Sequence, residues 1–190
     1  MIQTNSIMDA KGLACPMPIV KTKKAIKNLE SGEVLEVQAT DKGSTADLKA
    51  WAEGTGHHYL GTIEEGTLLK HYLRKASEEE ENDERKHQNV IRNEELQQKL
   101  EANHNTVILD VRESAEYAFN HIPNAKSVPL GELGGYVDQL NKETEIYVVC
   151  RTGNRSDLAA QKLSVAGFTK VFNVIPGMSE WEGPTDKTVN

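Results

Sequence analysis

The run Ser77-Glu78-Glu79-Glu80-Glu81-Asn82-Asp83-Glu84-Arg85-Lys86-His87-Gln88 divides this chain of 190 residues. It contains no aliphatic or aromatic side chain, so it offers a folded core nothing to bury. It reads as a solvated linker or as an exposed helix end, because Glu is a good helix former. Either way it separates two halves that must each fold around their own apolar residues. The expected organisation is residues 1–75, an acidic linker over 76–88, and residues 89–190. The first segment carries 10 basic against 9 acidic side chains, the linker 2 against 6, and the last 10 against 14. The acidity therefore lies in the linker and the second half. With a net charge of −7, nothing advertises a nucleic-acid surface.

The first half reads as a small α/β unit. Ser6 to Ala10 is a strand candidate. Pro16 to Leu29 reads as a helix, with Ile19, Ile26 and Leu29 near one face and Lys21, Lys23, Lys24 and Lys27 elsewhere. Glu33 to Thr40 alternates as a strand does. Ser44 is the expected N-cap of a helix that Gly54 or Gly56 ends. His58 to Ile63 and Thr67 to Leu73 flank Glu64-Glu65-Gly66 as a hairpin. The order βαβαββ implies a two-layer sandwich with helices on one face of a sheet.

The second half alternates more regularly. Helices are expected over Glu94 to Ala102, Ser114 to Phe119, Leu133 to Leu140 and Ser156 to Ala166. Strands are expected at 106–111, 126–129, 146–150 and 171–174. Short apolar strands between helices predict a parallel sheet covered on both faces.

Two cysteines punctuate this pattern. Cys150 ends the apolar run Ile146-Tyr147-Val148-Val149 and opens the loop Cys150-Arg151-Thr152-Gly153-Asn154-Arg155. Ligands of open α/β sheets sit beyond such strand ends. Gly153 gives the turn access to positive φ, and the loop amides can form an anion-binding nest on a helix N-terminus. Arg155, with Arg151, adds positive charge. These surroundings favour a thiolate, and equally an anionic persulfide. Cys15 precedes Pro16, with Pro18 stiffening the turn. Proline is expected at the first helical position, which places Cys15 at or near the N-cap, where the dipole favours a thiolate by up to about 1 kcal/mol. The lysines that follow read equally as a docking face for an acidic partner and as a solvated helix face. Pairing alone leaves a Cys15–Cys150 disulfide open, but free thiols are expected of a chain with neither a leader nor a membrane-length apolar run, which is expected to be cytoplasmic. His57-His58 reads as strand polarity rather than a metal pair, because no nearby Cys or Asp completes a ligand set. No metal and no cofactor is expected.

Residues 89–190 resemble a single-domain rhodanese. The matching stretches are Leu109-Asp110-Val111-Arg112-Glu113, Glu116-Tyr117, His121-Ile122-Pro123-Asn124-Ala125, Val128-Pro129-Leu130, the Cys150 loop, Ala166-Gly167-Phe168, and Asn173 through Gly177-Met178 to Trp181. The resemblance implies a rhodanese-like parallel-sheet α/β domain in which Cys150 carries a sulfane sulfur as a persulfide. It further implies that Asp110, Arg112 and Arg155 hold the loop by charge pairing. Asn120 and Pro176 stand where the family usually has Gly, and both are expected to shift local loop geometry. Related phosphatases and arsenate reductases share a Cys-to-Arg cradle with five intervening residues; here four intervene, as in rhodaneses. Residues 6–74 resemble the TusA-like (SirA-like) sulfur carriers through Asp9, Gly12-Leu13-Ala14-Cys15-Pro16-Met17-Pro18-Ile19, the strand at 34–39, and Asp41 with the helix after it. That resemblance implies a presented thiol at Cys15 with no further catalytic machinery.

Together these resemblances imply a fused sulfurtransferase and sulfur carrier. A small sulfane-sulfur donor, thiosulfate or a low-molecular-weight persulfide, is expected to load Cys150. Cys15 is expected to give or receive that sulfur, for delivery to a downstream protein or a small thiol. Neither nucleic acid nor membrane is an expected partner. The competing readings are a non-enzymatic persulfide carrier or sensor and, less favoured, a phosphatase or arsenate reductase. A linker of 13 residues reaches at most about 45 Å. Tethering raises the effective concentration of one site at the other to about the millimolar range.

Overall fold

The computed structural model describes residues 2–77, 85–102 and 106–189. The acidic core of the expected linker, 78–84, and His104 lie outside the described residues. The chain divides into two compact units, residues up to 78 and residues 79–188.

In the first unit the order is β1 (Ser6–Ala10), α1 (Met17–Lys27), β2 (Val34–Ala39), α2 (Ser44–Thr55), β3 (His58–Glu65) and β4 (Leu68–Arg74). The sheet order is β1-β2-β4-β3. β1 pairs parallel to β2, and β4 runs antiparallel to both β2 and β3. The helices cover one face, where Ala10, Ile26, Leu35, Val37, Leu48, Ala52 and Leu73 form the core. Burial of each of the larger aliphatic side chains contributes about 1.5–3 kcal/mol.

Two helix starts differ from expectation. Pro16 is the N-cap of α1, so Cys15 lies one residue outside the helix and Pro18 occupies its second position. Gly43, not Ser44, caps α2. The Ser44 hydroxyl is instead committed to the Asp41 carbonyl (2.5 Å) and to His71 Nε2 (2.9 Å). His71 is wholly buried on β4, and its Nδ1 meets Thr62 (2.9 Å) and Tyr59 (3.0 Å), which also bond each other. Burial holds this imidazole at a pKa of about 4, well below its ordinary value.

The second unit runs β5 (Val90–Arg92), α3 (Asn93–Ala102), β6 (Val107–Asp110), α4 (Ser114–Phe119), β7 (Lys126–Ser127), α5 (Leu133–Tyr136), β8 (Ile146–Val149), α6 (Asn154–Val165) and β9 (Val171–Ile175). Short 3-10 turns occupy Val137–Gln139 and Met178–Glu180. All pairs in the β5-β9-β8-β6-β7 sheet are parallel. β8 shows why the sheet must be covered twice. Ile146, Val148 and Cys150 enter one core with Leu163 and Phe168, while Tyr147 and Val149 enter the other with Leu96 and Ile122. The helix expected over 133–140 is broken into a single α turn and a 3-10 turn, consistent with the poor helix propensity of Gly134-Gly135. α6 begins at Asn154, two residues before its expected start, because Gly153 takes φ 97° and turns the chain at once.

Candidate functional site

Cys150 leaves β8 into a loop whose shape is enforced from behind. The Met178 and Ser179 amides donate to the carbonyls of Cys150 and Arg151, both at 2.9 Å. That backing needs Gly177, at φ 85°: a Cβ there would lie 2.5 Å from the Cys150 carbonyl oxygen. Asn93, at the start of α3, fixes Gly177 in turn, donating to its carbonyl (2.9 Å) and accepting its amide (3.2 Å). Gly153 is equally confined, since a Cβ would fall 2.8 Å from Ile175 Cγ2. Asn120 takes φ −165°, an extended conformation open to any residue.

The Cys150 residue is 1% exposed. Its Sγ accepts the Gly153 amide at 3.1 Å and lies 3.2 Å from the Ser156 hydroxyl in the first turn of α6. Ser156 also lies 2.6 Å from Asn173 Oδ1, and the Asn173 amide donates to the Gly153 carbonyl at 3.0 Å. Ser156, which directly follows the loop, was not singled out from the sequence, and Asn173 entered only within a matching stretch, with no role given.

Two buried ion pairs flank this arrangement. Arg112 binds Asp110 through Nε (2.9 Å) and a terminal nitrogen (2.6 Å), and reaches the Asn120 carbonyl at 2.5 Å. Arg155 forms a bidentate pair with Glu116, at 2.7 and 3.0 Å. Glu116 also accepts the Glu113 amide in a capping box at the start of α4. The charge pairing implied for Asp110, Arg112 and Arg155 is therefore present, with Glu116 as the partner that sequence reasoning missed. The spacing Glu113-x-x-Glu116 signals the start of α4, not the contact with Arg155. Arg151 and Thr152 are half-buried, and the Thr152 carbonyl accepts Arg85 at 3.2 Å. Asn154 is the first residue of α6.

Residues 85–87, expected within a solvated linker, are instead held on this unit. Asp157 in α6 accepts the Lys86 and His87 amides at 3.1 and 2.9 Å, and His87 Nε2 meets the Val171 carbonyl at 2.8 Å. Residues placed against buried acceptors in this way are anchored chain.

In the first unit Cys15 is exposed, and neither cysteine is in a disulfide. Pro18 is buried beneath the turn, whereas Met17 and Val20 are exposed. The Cys15 thiol is held above its ordinary pKa, first by a hydrogen bond to Asp47, then by desolvation and the charges of Asp47 and Asp41. This direction is opposite to the lowering expected of a helix dipole, and its causes are Asp47 in α2 and Asp41 just before that helix. Lys21, Lys23, Lys24 and Lys27 are exposed along α1. Among the described residues, no group of three or more His, Cys, Asp or Glu is placed to hold a metal ion, and no helix is long and apolar enough to cross a membrane.

Residues 6–75 match the family described as Sulfurtransferase TusA, and residues 92–184 match the Rhodanese-like domain. The Bacillus subtilis (strain 168) protein YrkF is 50% identical over 186 residues, covering 98% of this chain and 100% of its relative. The sulfur carrier protein TusA of Allochromatium vinosum is 46% identical over 70 residues, which is 37% of this chain and 91% of that protein. A solved rhodanese-like domain protein from Staphylococcus aureus is 34% identical, covers 52% of this chain and 97% of its own, and superposes with a TM-score of 0.49.

Proposed function

Because the chain belongs to the family that joins a TusA-type sulfur-carrier unit to a rhodanese-like domain, we propose that Cys150 is the nucleophile of a sulfurtransferase and Cys15 its carrier thiol. The Cys150 thiolate attacks the sulfane sulfur of a donor. With thiosulfate, a bond forms between Sγ and the outer sulfur, the sulfur–sulfur bond of the donor breaks, and sulfite leaves with the electron pair. Cys150 then carries an anionic persulfide. The observation that carries this reading is the Gly153 amide aimed at Sγ from a loop whose Arg155 is locked in a buried pair with Glu116. Arg112, Asp110, Glu116 and Arg155 act by holding the loop, and Arg151, Thr152, Gly153 and Asn154 form its rim.

In the second step Cys15 takes the outer sulfur and presents it to an acceptor protein or small thiol. Exposure of Cys15, followed by Pro16 and the exposed Met17, supports a role in presentation. Loading of Cys15→Ser and Cys150→Ser variants with labelled sulfur, followed by mass spectrometry, tests the order. Label is expected on Cys150 in the first variant and is expected to be strongly slowed on Cys15 in the second. Equal rates on Cys15 with and without Cys150 overturn the relay. Absence of thiosulfate–cyanide turnover, with sulfur still carried, favours a carrier without enzymatic function.

A further inference from the structure

Ser156 is wholly buried, with its oxygen 3.2 Å from Cys150 Sγ and 2.6 Å from Asn173 Oδ1. A hydroxyl has one proton to donate. Asn173, also wholly buried, is not free to exchange its ends, because its Nδ2 donates to the Gly153 carbonyl. With Cys150 as a thiol the network closes: S–H donates to Ser156, Ser156 to Asn173, and Asn173 to Gly153. With Cys150 as a thiolate, sulfur and Asn173 Oδ1 compete for one proton.

We propose that the Ser156 hydroxyl is a rotor that turns to Cys150 Sγ when that sulfur bears the negative charge and back to Asn173 when it does not. The proposal rests on the reading of Cys150 as the sulfur-bearing nucleophile. A hydrogen bond to an anion is stronger than one to a neutral amide oxygen, so the thiolate wins the proton. Once the persulfide forms, Sγ is a neutral bridging atom and the charge sits on the outer sulfur. The hydroxyl then returns to Asn173. In the outgoing step the outer sulfur first takes a proton from solvent, and an acceptor thiolate then forms a bond to it. The Sγ–S bond breaks, its electron pair stays on Sγ, and the outer sulfur leaves with its proton as the acceptor's hydropersulfide. Ser156 turns again to meet the charge left behind. It transfers no proton of its own; it assists discharge by meeting the charge that returns to Sγ, and loading by raising the population of the thiolate. Asn173 supplies the restoring pull.

The test uses full-length protein carrying Cys15→Ser, so that Cys150 is the sole cysteine. Ultraviolet thiolate absorbance is titrated, and single-turnover loading and discharge of sulfur are followed by mass spectrometry. Ser156→Ala is expected to displace the thiolate band to higher pH and to slow discharge about tenfold, the equivalent of one charge-assisted hydrogen bond. Ser156→Thr keeps the hydroxyl and is expected to restore both. Asn173→Ala removes the competitor and is expected to displace the band to lower pH. A purely structural role for Ser156 would not give displacements of opposite sign. The surrounding charges, the Glu116–Arg155 and Asp110–Arg112 pairs, Asp157 of α6 and Arg151 of the loop, are the same in every variant. A band unmoved by Ser156→Ala, or moved in the same direction by both alanine variants, overturns the proposal. Should one alanine variant fail to fold, an unmoved or wrongly signed band in the other does so alone. If the parent takes up no sulfur from any donor, it is the sulfurtransferase reading that fails, and the titration still decides the rotor.

Discussion

Arg155 presents both terminal nitrogens to the Glu116 carboxylate, at 2.7 and 3.0 Å, with both side chains buried. The pair ties α6 to α4 across 39 residues of sequence. Removing one partner leaves a charge without its counterion in a dry site. Glu116→Ala is therefore expected to destabilise the second unit by about 3–5 kcal/mol. Replacing both partners with Met is expected to cost less than the single change. Urea unfolding read by Trp181 fluorescence in a Trp51→Phe background measures both.

Stability of the first unit is expected to depend on pH through His71. Its folded pKa, about 4, lies below the ordinary 6.5. Between these values the unfolded chain binds a proton that the folded chain refuses, so stability falls as pH drops from 6.5 to 4. It is level outside that window as far as this group is concerned. The loss amounts to about 3 kcal/mol. Trp51 fluorescence in a Trp181→Phe background follows it, and His71→Gln is expected to flatten the slope. A slope unchanged by that substitution would assign the effect to another group.

Two glycines with positive φ should respond differently to alanine. At Gly12, φ 72°, a Cβ meets nothing within 4 Å. Gly12→Ala is expected to cost only the backbone conformation, about 1 kcal/mol. At Gly177 the Cβ would strike the Cys150 and Arg151 carbonyls at 2.5 and 3.0 Å. Gly177→Ala is expected to cost at least about 2–3 kcal/mol and to lower sulfur loading of Cys150 as well. Thermal unfolding and single-turnover loading measure the two consequences.

Asp47 holds the Cys15 thiol up, so its removal should ease ionisation. Asp47→Asn in a Cys150→Ser background is expected to speed alkylation of Cys15 at neutral pH. The difference should vanish at high pH, where both proteins are ionised. An unchanged rate profile would mean that Asp47 does not govern this thiol.

What could be read from the sequence was local. The run 146–149, the cysteine, Gly153 and the following helix lie within a few residues of one another, so periodicity and turn chemistry locate them without knowledge of the fold. The βαβαββ order of the first half was readable for the same reason. The Glu116–Arg155 contact, the Asn173–Ser156 contact and the Asp47 carboxylate near Cys15 were not. Each depends on which elements the topology makes neighbours, and no spacing rule reports that. β5, three residues long, carries too little alternation to be distinguished from a loop. The start of α6 was missed because Gly153 completes the turn by itself, leaving no need for a further loop residue.

The hold of Asp157 on the amides of residues 86 and 87 makes them part of the second unit's fold. On the other side Lys75 pairs with Gly32 and Glu33, and the Ala76 amide meets His57. A second unit cut free of the first must therefore begin before Lys86, because a cut after His87 strips the Asp157 carboxylate of both backbone amide donors.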